Sequence, residues 1–207
     1  HGHSPDVLVI ACSDSRNDPA LITQSQPGDI FVVRNVAAIV PPYDPDGHHH
    51  GTSAAIEFAV KGLKVKHIVV LGHALCGGVQ ALAEGVDQKM SFEFLSSWIH
   101  VGDHAKQMVD RVLGDAPRRV RLQALEQAMI LTSLQNLLSF PYIHDRVEAR
   151  ELTMDGWFFD MVQGKLLGYD FERKEFCEID NPKEGLAEYF CHADKMCLKD
   201  AMEQLVK

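Results

Sequence analysis

Three short apolar runs, residues 7–11, 30–33 and 68–71, constrain this chain more than any other feature. Each is rich in β-branched residues and has no polar alternation, the pattern of a strand covered on both faces. Burial on both faces belongs to parallel sheets. Parallel neighbours need a long return crossover, usually helical and right-handed. The sequence supplies one between the second and third runs: a turn-rich loop, residues 41–51, then a helical segment, residues 52–61. Ala55, Ile56, Ala59, Val60 and Leu63 recur there at helical spacing, and Thr52 or Ser53 is placed to cap the start. Residues 77–84 read as the next helix. Strand and helix in alternation predict an α/β domain with a mainly parallel central sheet flanked by helices.

The middle of the chain, residues 92–111 and 117–140, reads as helical. Pro117 suits a first-turn position, and Val120, Ala124, Leu125, Ala128, Leu131 and Leu134 form one apolar face. Residues 152–159, 165–169 and 175–179 read as strands, with Gln163-Gly164 turning between the first two. Residues 184–207 read as a terminal helix within an extension, 180–207. No repeat or linker divides the 207 residues, so we expect one domain over 1–207. No run approaches the ~20 apolar residues of a membrane span. No signal peptide is visible, yet the chain begins at His1 and enters a strand almost at once. We therefore expect a further N-terminal portion to precede residue 1.

Twenty-nine acidic residues against 20 basic ones give a net charge of −9. That balance argues against nucleic acid and against anionic membranes as partners. Arg118, Arg119 and Arg121 read as a solvated face. Five cysteines are an odd, scattered set, unlike a secreted disulfide framework. Reduced thiols point to the cytoplasm, or to an organelle if a targeting segment precedes this chain.

Chemistry concentrates at two strand ends. Cys12-Ser13-Asp14-Ser15-Arg16 follows the first run, and Gly72-His73-Ala74-Leu75-Cys76-Gly77-Gly78 follows the third. Ligands of open α/β sheets bind beyond the carboxyl ends of strands, so the two segments predict one shared crevice. Cys12, His73 and Cys76 then form a Cys2His set, which suits one Zn²⁺ per chain with an open fourth position. Asp14 and Arg16 form a carboxylate–guanidinium pair beside it. Released by Arg16, Asp14 becomes a candidate fourth ligand in a closed state. Gly77 and Gly78 allow close backbone approach at a helix start.

These motifs, with Arg34-Asn35-Val36-Ala37 and the stretch from Gly51 to Phe58 between them, resemble the β-carbonic anhydrases. The likeness is densest over residues 3–80 and continues to about Asp170, through Gly156-Trp157-Phe158-Phe159-Asp160. It implies zinc-dependent, reversible hydration of carbon dioxide to bicarbonate and a proton by zinc-bound hydroxide. Asp14 and Arg16 would be the catalytic pair, in a homodimer or larger homo-oligomer. Val9, where one branch of the family carries tryptophan, places the resemblance with the plant-like branch. The substrate pocket of that branch falls here on Phe31, Val36, Phe58 and the N–H of Gly77. Phe58 replaces a more usual tyrosine, and His3 a glutamine that hydrogen-bonds substrate. Hydrolysis of carbonyl sulfide or carbon disulfide on the same site is an alternative, as is a non-catalytic zinc or bicarbonate sensor.

Elsewhere, His48-His49-His50 reads as an exposed polar loop with a conceivable role in proton relay. Cys177, Cys191 and Cys197, with His192, read as structural thiols rather than a second metal site. Trp98 and Trp157 read as core or interface residues.

Overall fold

The computed structural model describes residues 2–86 and 91–179. Strands β1 (Val7–Cys12), β2 (Ile30–Asn35), β3 (His67–His73) and β4 (Thr153–Asp160) lie in the order β2-β1-β3-β4, all parallel. β5 (Lys165–Asp170) and β6 (Glu175–Glu178) extend the sheet antiparallel beyond β4. The result is the single α/β domain expected, with a six-stranded, mainly parallel sheet. Every residue of β1 is buried, as its unbroken apolar run requires. The antiparallel end follows from chain length: the Gln163-Gly164 turn is too short for a crossover, so the chain must fold straight back.

The two faces of the sheet differ. Leu8, Ile10, Ile68, Val70 and Phe158 face the larger core, built with the helices. Val7, Val9, Ala11, Val69, Leu71 and Trp157 form a second, smaller cluster on the opposite face. On the larger side lies the longest helix among the described residues, α6 in chain order (Arg118–Leu137). It presses on β3 at Gly72, where an added Cβ would lie 2.7 Å from the Ile130 side chain. Glycine is what lets this helix approach the strand that carries His73.

Several local expectations are corrected. A short helix, α1 (Pro19–Thr23), follows the first motif; Asp18 caps it by accepting from Leu21 N–H at 3.1 Å, and Pro19 opens it. α2 (Gly51–Glu57) continues into wider π-type turns over Phe58–Leu63. Its N-cap residue is His50, and neither Thr52 nor Ser53 caps it. The Thr52 hydroxyl instead accepts from Asn35 Nδ2 at 3.3 Å. α3 (Gly77–Glu84) stands as read.

Residues 92–111 are not one helix. α4 (Leu95–Ile99) meets a 3-10 turn (His100–Gly102) and then α5 (Asp103–Leu113). Pro117 is the N-cap of α6 and not within its first turn, and Val120 is 47% exposed rather than on the core face. Pro141 starts a separate helix, α7 (Pro141–Glu148). Arg118 is exposed and pairs with Glu84 through two nitrogens, and Arg119 is exposed, but Arg121 Nε is buried. Trp157 is core; Trp98 is partly buried and donates to the Val36 carbonyl at 2.8 Å. Cys177 is partly buried. The expected terminal helix, with Cys191, His192 and Cys197, lies outside the described residues. Among the described residues no helix is long and apolar enough to cross a membrane.

Candidate metal centre

Cys12 ends β1 and His73 ends β3, and these strands are neighbours in the sheet. Parallel pairing therefore closes the long sequence gap between the two residues. The turn after β3 then brings Cys76 back to the same point. The two sulfurs lie 3.9 Å apart, and the ligand atoms of Cys12, His73 and Cys76 all fall within 4.8 Å of one another. All three residues are buried. Two sulfurs on one tetrahedral zinc, each about 2.3 Å from it, would be ~3.8 Å apart.

The imidazole supplies the more telling observation. His73 Nδ1 donates to the Ala74 carbonyl at 2.9 Å, which fixes the proton on that nitrogen. Nε2 is left as a buried lone pair with no hydrogen-bond partner. A buried polar atom without a partner is costly, and one turned toward two thiols is the form a metal ligand takes. The donor set fits a soft divalent cation. Among the described residues no other group of three His, Cys, Asp or Glu ligand atoms converges in this way, the His48–His50 loop included.

The electrostatics favour an anionic sulfur at Cys12 and a protonated one at Cys76. A hydrogen bond from Cys76 holds the Cys12 thiol well below its ordinary value despite burial, and Ala37 N–H adds a contact to its sulfur at 3.4 Å. The same shared proton, together with burial, pushes Cys76 upward. Burial pulls His73 down, but contact with Cys12 and the Ala74 carbonyl outweigh it and raise its pKa overall.

Asp14 and Arg16 meet as predicted. Arg16 Nε donates to Asp14 Oδ1 at 2.9 Å and Nη2 to Oδ2 at 2.6 Å, and the Arg16 backbone N–H adds a third bond at 2.9 Å. This fork holds the Asp14 carboxyl well below the usual carboxylate range. Both oxygens are turned to Arg16, and Asp14 is not among the converging ligand atoms. Arg34, whose role the sequence did not reveal, braces the loop from β2. It donates to the carbonyls of Cys12 (3.1 Å), Asp14 (2.6 Å) and Asn17 (3.2 Å).

The expected pocket residues fall into two groups. His3, Phe31 and Phe58 form an aromatic row with ring centroids 5.9 and 6.0 Å apart; His3 is exposed, and Phe58 is 55% exposed. Val36 opens the 3-10 turn after β2 and packs against the first turn of α3, which Gly77 starts. Beside Val36 runs a groove of about 930 Å³ whose walls include His49, His50, Phe94 and Trp98. The His48–His50 loop is exposed, with Asp46 accepting from His48 N–H at 2.8 Å and contacting His50 Nε2 at 2.6 Å. Glu126, buried on α6, accepts from Cys76 N–H at 3.1 Å, and sequence reading missed it.

A parallel sheet that delivers two thiols and an imidazole to one buried point defines, as a class, an α/β protein with a candidate metal centre at its strand ends. The family model described as carbonic anhydrase matches residues 7–166. Beta carbonic anhydrase 5, chloroplastic, from Arabidopsis thaliana is 40% identical over 159 residues, 77% of this chain; the chain covers 52% of that relative's length. The β-carbonic anhydrase CcaA superposes with a TM-score of 0.81 at 33% identity, over 87% of this chain and 80% of that one. One of two tetrameric β-carbonic anhydrases from Sordaria macrospora superposes with a TM-score of 0.71 at 32% identity, over 86% and 84%. The chain belongs to the β-carbonic anhydrase family.

Proposed function

We propose that this chain catalyses the reversible, zinc-dependent hydration of carbon dioxide to bicarbonate and a proton. The observation that carries the reading is His73 Nε2, a buried lone pair without a hydrogen-bond partner in the same cluster as two buried thiols. Cys12, His73 and Cys76 would hold one zinc, which when bound supplies a Lewis acid that makes water acidic enough to lose its proton near neutral pH.

The chain's own residues do the rest. Arg16 keeps Asp14 ionised and fixes its orientation, so that Asp14 accepts a hydrogen bond from the attacking oxygen and aims its lone pair at carbon. Gly77 N–H, at the start of α3, is a donor for a substrate oxygen, where developing negative charge is stabilised. Phe31, Phe58 and Val36 present apolar surface to a small, uncharged substrate. His3, at the end of the aromatic row, has one imidazole N–H to offer in the place of an amide. The proton passes to buffer.

The Asp14–Arg16 fork supports an open fourth metal position, which a catalyst needs and a permanently closed sensor does not. The tetrameric relative and the exposed Val36 and Phe58 support a homodimer or larger homo-oligomer. Val9 and the Arabidopsis relative support the plant-like branch. The chloroplastic name of that relative sets an organelle beside the cytoplasm as a location. Stopped-flow measurement on zinc-loaded protein, with carbon dioxide and carbonyl sulfide in parallel, tests the reading. Hydration of carbon dioxide well above the buffer rate supports it. Turnover of carbonyl sulfide alone, or of neither, refutes it.

A further inference from the structure

We propose that Glu126 is a positioning residue for Cys76, and that the hydrogen bond it accepts sets how firmly the centre holds its metal. The inference rests on reading Cys76 as a metal ligand. It starts from the three residues that link His73 to Cys76. Leu75 sits at φ 58, a left-handed conformation that a leucine adopts only when its surroundings enforce it. Three contacts from three separate parts of the chain hold it here. Ala74 N–H donates to the Phe159 carbonyl of β4 at 2.9 Å. Arg16 Nη2 reaches the Leu75 carbonyl at 3.3 Å. Glu126, from the middle of α6, takes Cys76 N–H at 3.1 Å.

The third anchor differs from the others because it acts on the ligand residue itself. Glu126 is 6% exposed, and a carboxyl in such a place is expensive unless its bonds repay the desolvation. α6 gains nothing locally from an acid at this position, whose neighbours Ala124, Leu125, Ala128 and Met129 are core. The carboxyl's bond goes to the metal loop instead. Its reach is fixed because α6 is pressed against β3 at Gly72, one residue before His73. Cys76 is also the N-cap of α3, and its own side chain makes no capping hydrogen bond there. Its N–H would otherwise be free to turn, and with it the direction of Sγ. A cavity of about 190 Å³ beside Glu126, lined also by Leu75, Gln80, Leu122 and Gln123, leaves the loop room to relax once the bond is lost.

Groups that orient metal ligands from behind typically change metal affinity about 10- to 100-fold when removed. The test compares wild type, Glu126→Leu, Glu126→Gln and Leu122→Ala. The leucine fills the space without an acceptor. The amide keeps an acceptor oxygen. Leu122→Ala perturbs the same cavity without touching the hydrogen bond. Zinc affinity is measured by chelator competition, thermal stability on the metal-free proteins, and ligand geometry from the absorption bands of cobalt(II)-substituted samples.

The expected result is zinc held at least about tenfold more weakly by Glu126→Leu, with shifted cobalt bands and a metal-free melting temperature no lower than wild type. Glu126→Gln and Leu122→Ala should stay within about threefold of wild type, with its cobalt spectrum. Unchanged affinity in Glu126→Leu overturns the proposal. So does an equal loss in Glu126→Gln, or in Leu122→Ala, and the glutamine variant decides alone if the leucine variant does not fold. Wild-type protein that binds no zinc is a separate outcome. It overturns the metal reading itself, and this inference with it.

Discussion

Replacing Gly78 with alanine should loosen the metal centre from behind, although Gly78 touches no ligand side chain. An ideal Cβ there would lie 2.6 Å from Val36 Cγ1, 3.0 Å from Ala37 Cβ and 3.4 Å from Ala37 N. Val36 is 38% exposed and can swing aside. Ala37 cannot: it is buried, held at φ 66, and its N–H donates to Cys12 Sγ at 3.4 Å. Relief therefore moves the Ala37 peptide by several tenths of an ångström and opens that contact. Overpacking of this kind costs about 1–3 kcal/mol. Part is offset by the roughly 0.4–1 kcal/mol that alanine removes from unfolded-chain entropy. A net loss of about 1–2 kcal/mol lowers the melting temperature of a domain this size by roughly 2–8 °C. Gly77→Ala is the matched control, because nothing lies within 4 Å of its Cβ. Differential scanning calorimetry on zinc-loaded protein should place Gly78→Ala below wild type and Gly77→Ala at or above it. Equal melting of the two variants, or no loss in Gly78→Ala, would refute the packing argument.

Three further outcomes are expected. Asp14→Asn and Arg16→Ala should each cut turnover about tenfold or more while zinc stays bound; unchanged rates with full metal would reduce the fork to a structural ion pair. His3→Gln should change turnover, because an imidazole with one N–H to offer gives way to an amide of different reach. Unchanged kinetics would mean that His3 does not act in the pocket. Burial raises Asp155, on β4, well above the ordinary carboxylate value of 3.8, and its Oδ2 lacks a partner. The folded state then holds this proton more tightly than the unfolded state, so stability falls as pH rises from 3.8 toward the folded value. Denaturant titrations should show Asp155→Asn gaining on wild type as pH rises above the ordinary carboxylate value of 3.8. Parallel curves would contradict that.

Sequence alone carried far where a residue's role is set by its own strand. The continuous apolar runs of β1, β2 and β3 could be read directly, and so could the ligand-bearing ends that follow β1 and β3. What was not legible depends on a partner distant in the chain. Glu126 lies outside the apolar face read for this helix, but α6 is buried on more than one side, Thr132 and Ser133 included. Arg34 was visible in a motif, yet its work on the carbonyls of Cys12, Asp14 and Asn17 exists only once β2 lies beside β1. The left-handed turns at Ala37, Ala38 and Leu75 carry no glycine to announce them, because tertiary contacts impose them. By contrast, the Asp18-Pro19 and Phe140-Pro141 helix starts were local signals that stronger neighbouring patterns obscured.

The central claim is that one zinc on Cys12, His73 and Cys76 hydrates carbon dioxide. Its most direct test is to titrate metal-free protein with zinc and follow carbon dioxide hydration by stopped flow at each step. Activity should rise linearly and break at about one zinc per chain, and Cys76→Ser should show neither the rise nor the break. A flat response at every zinc level, or full activity in Cys76→Ser, would contradict it.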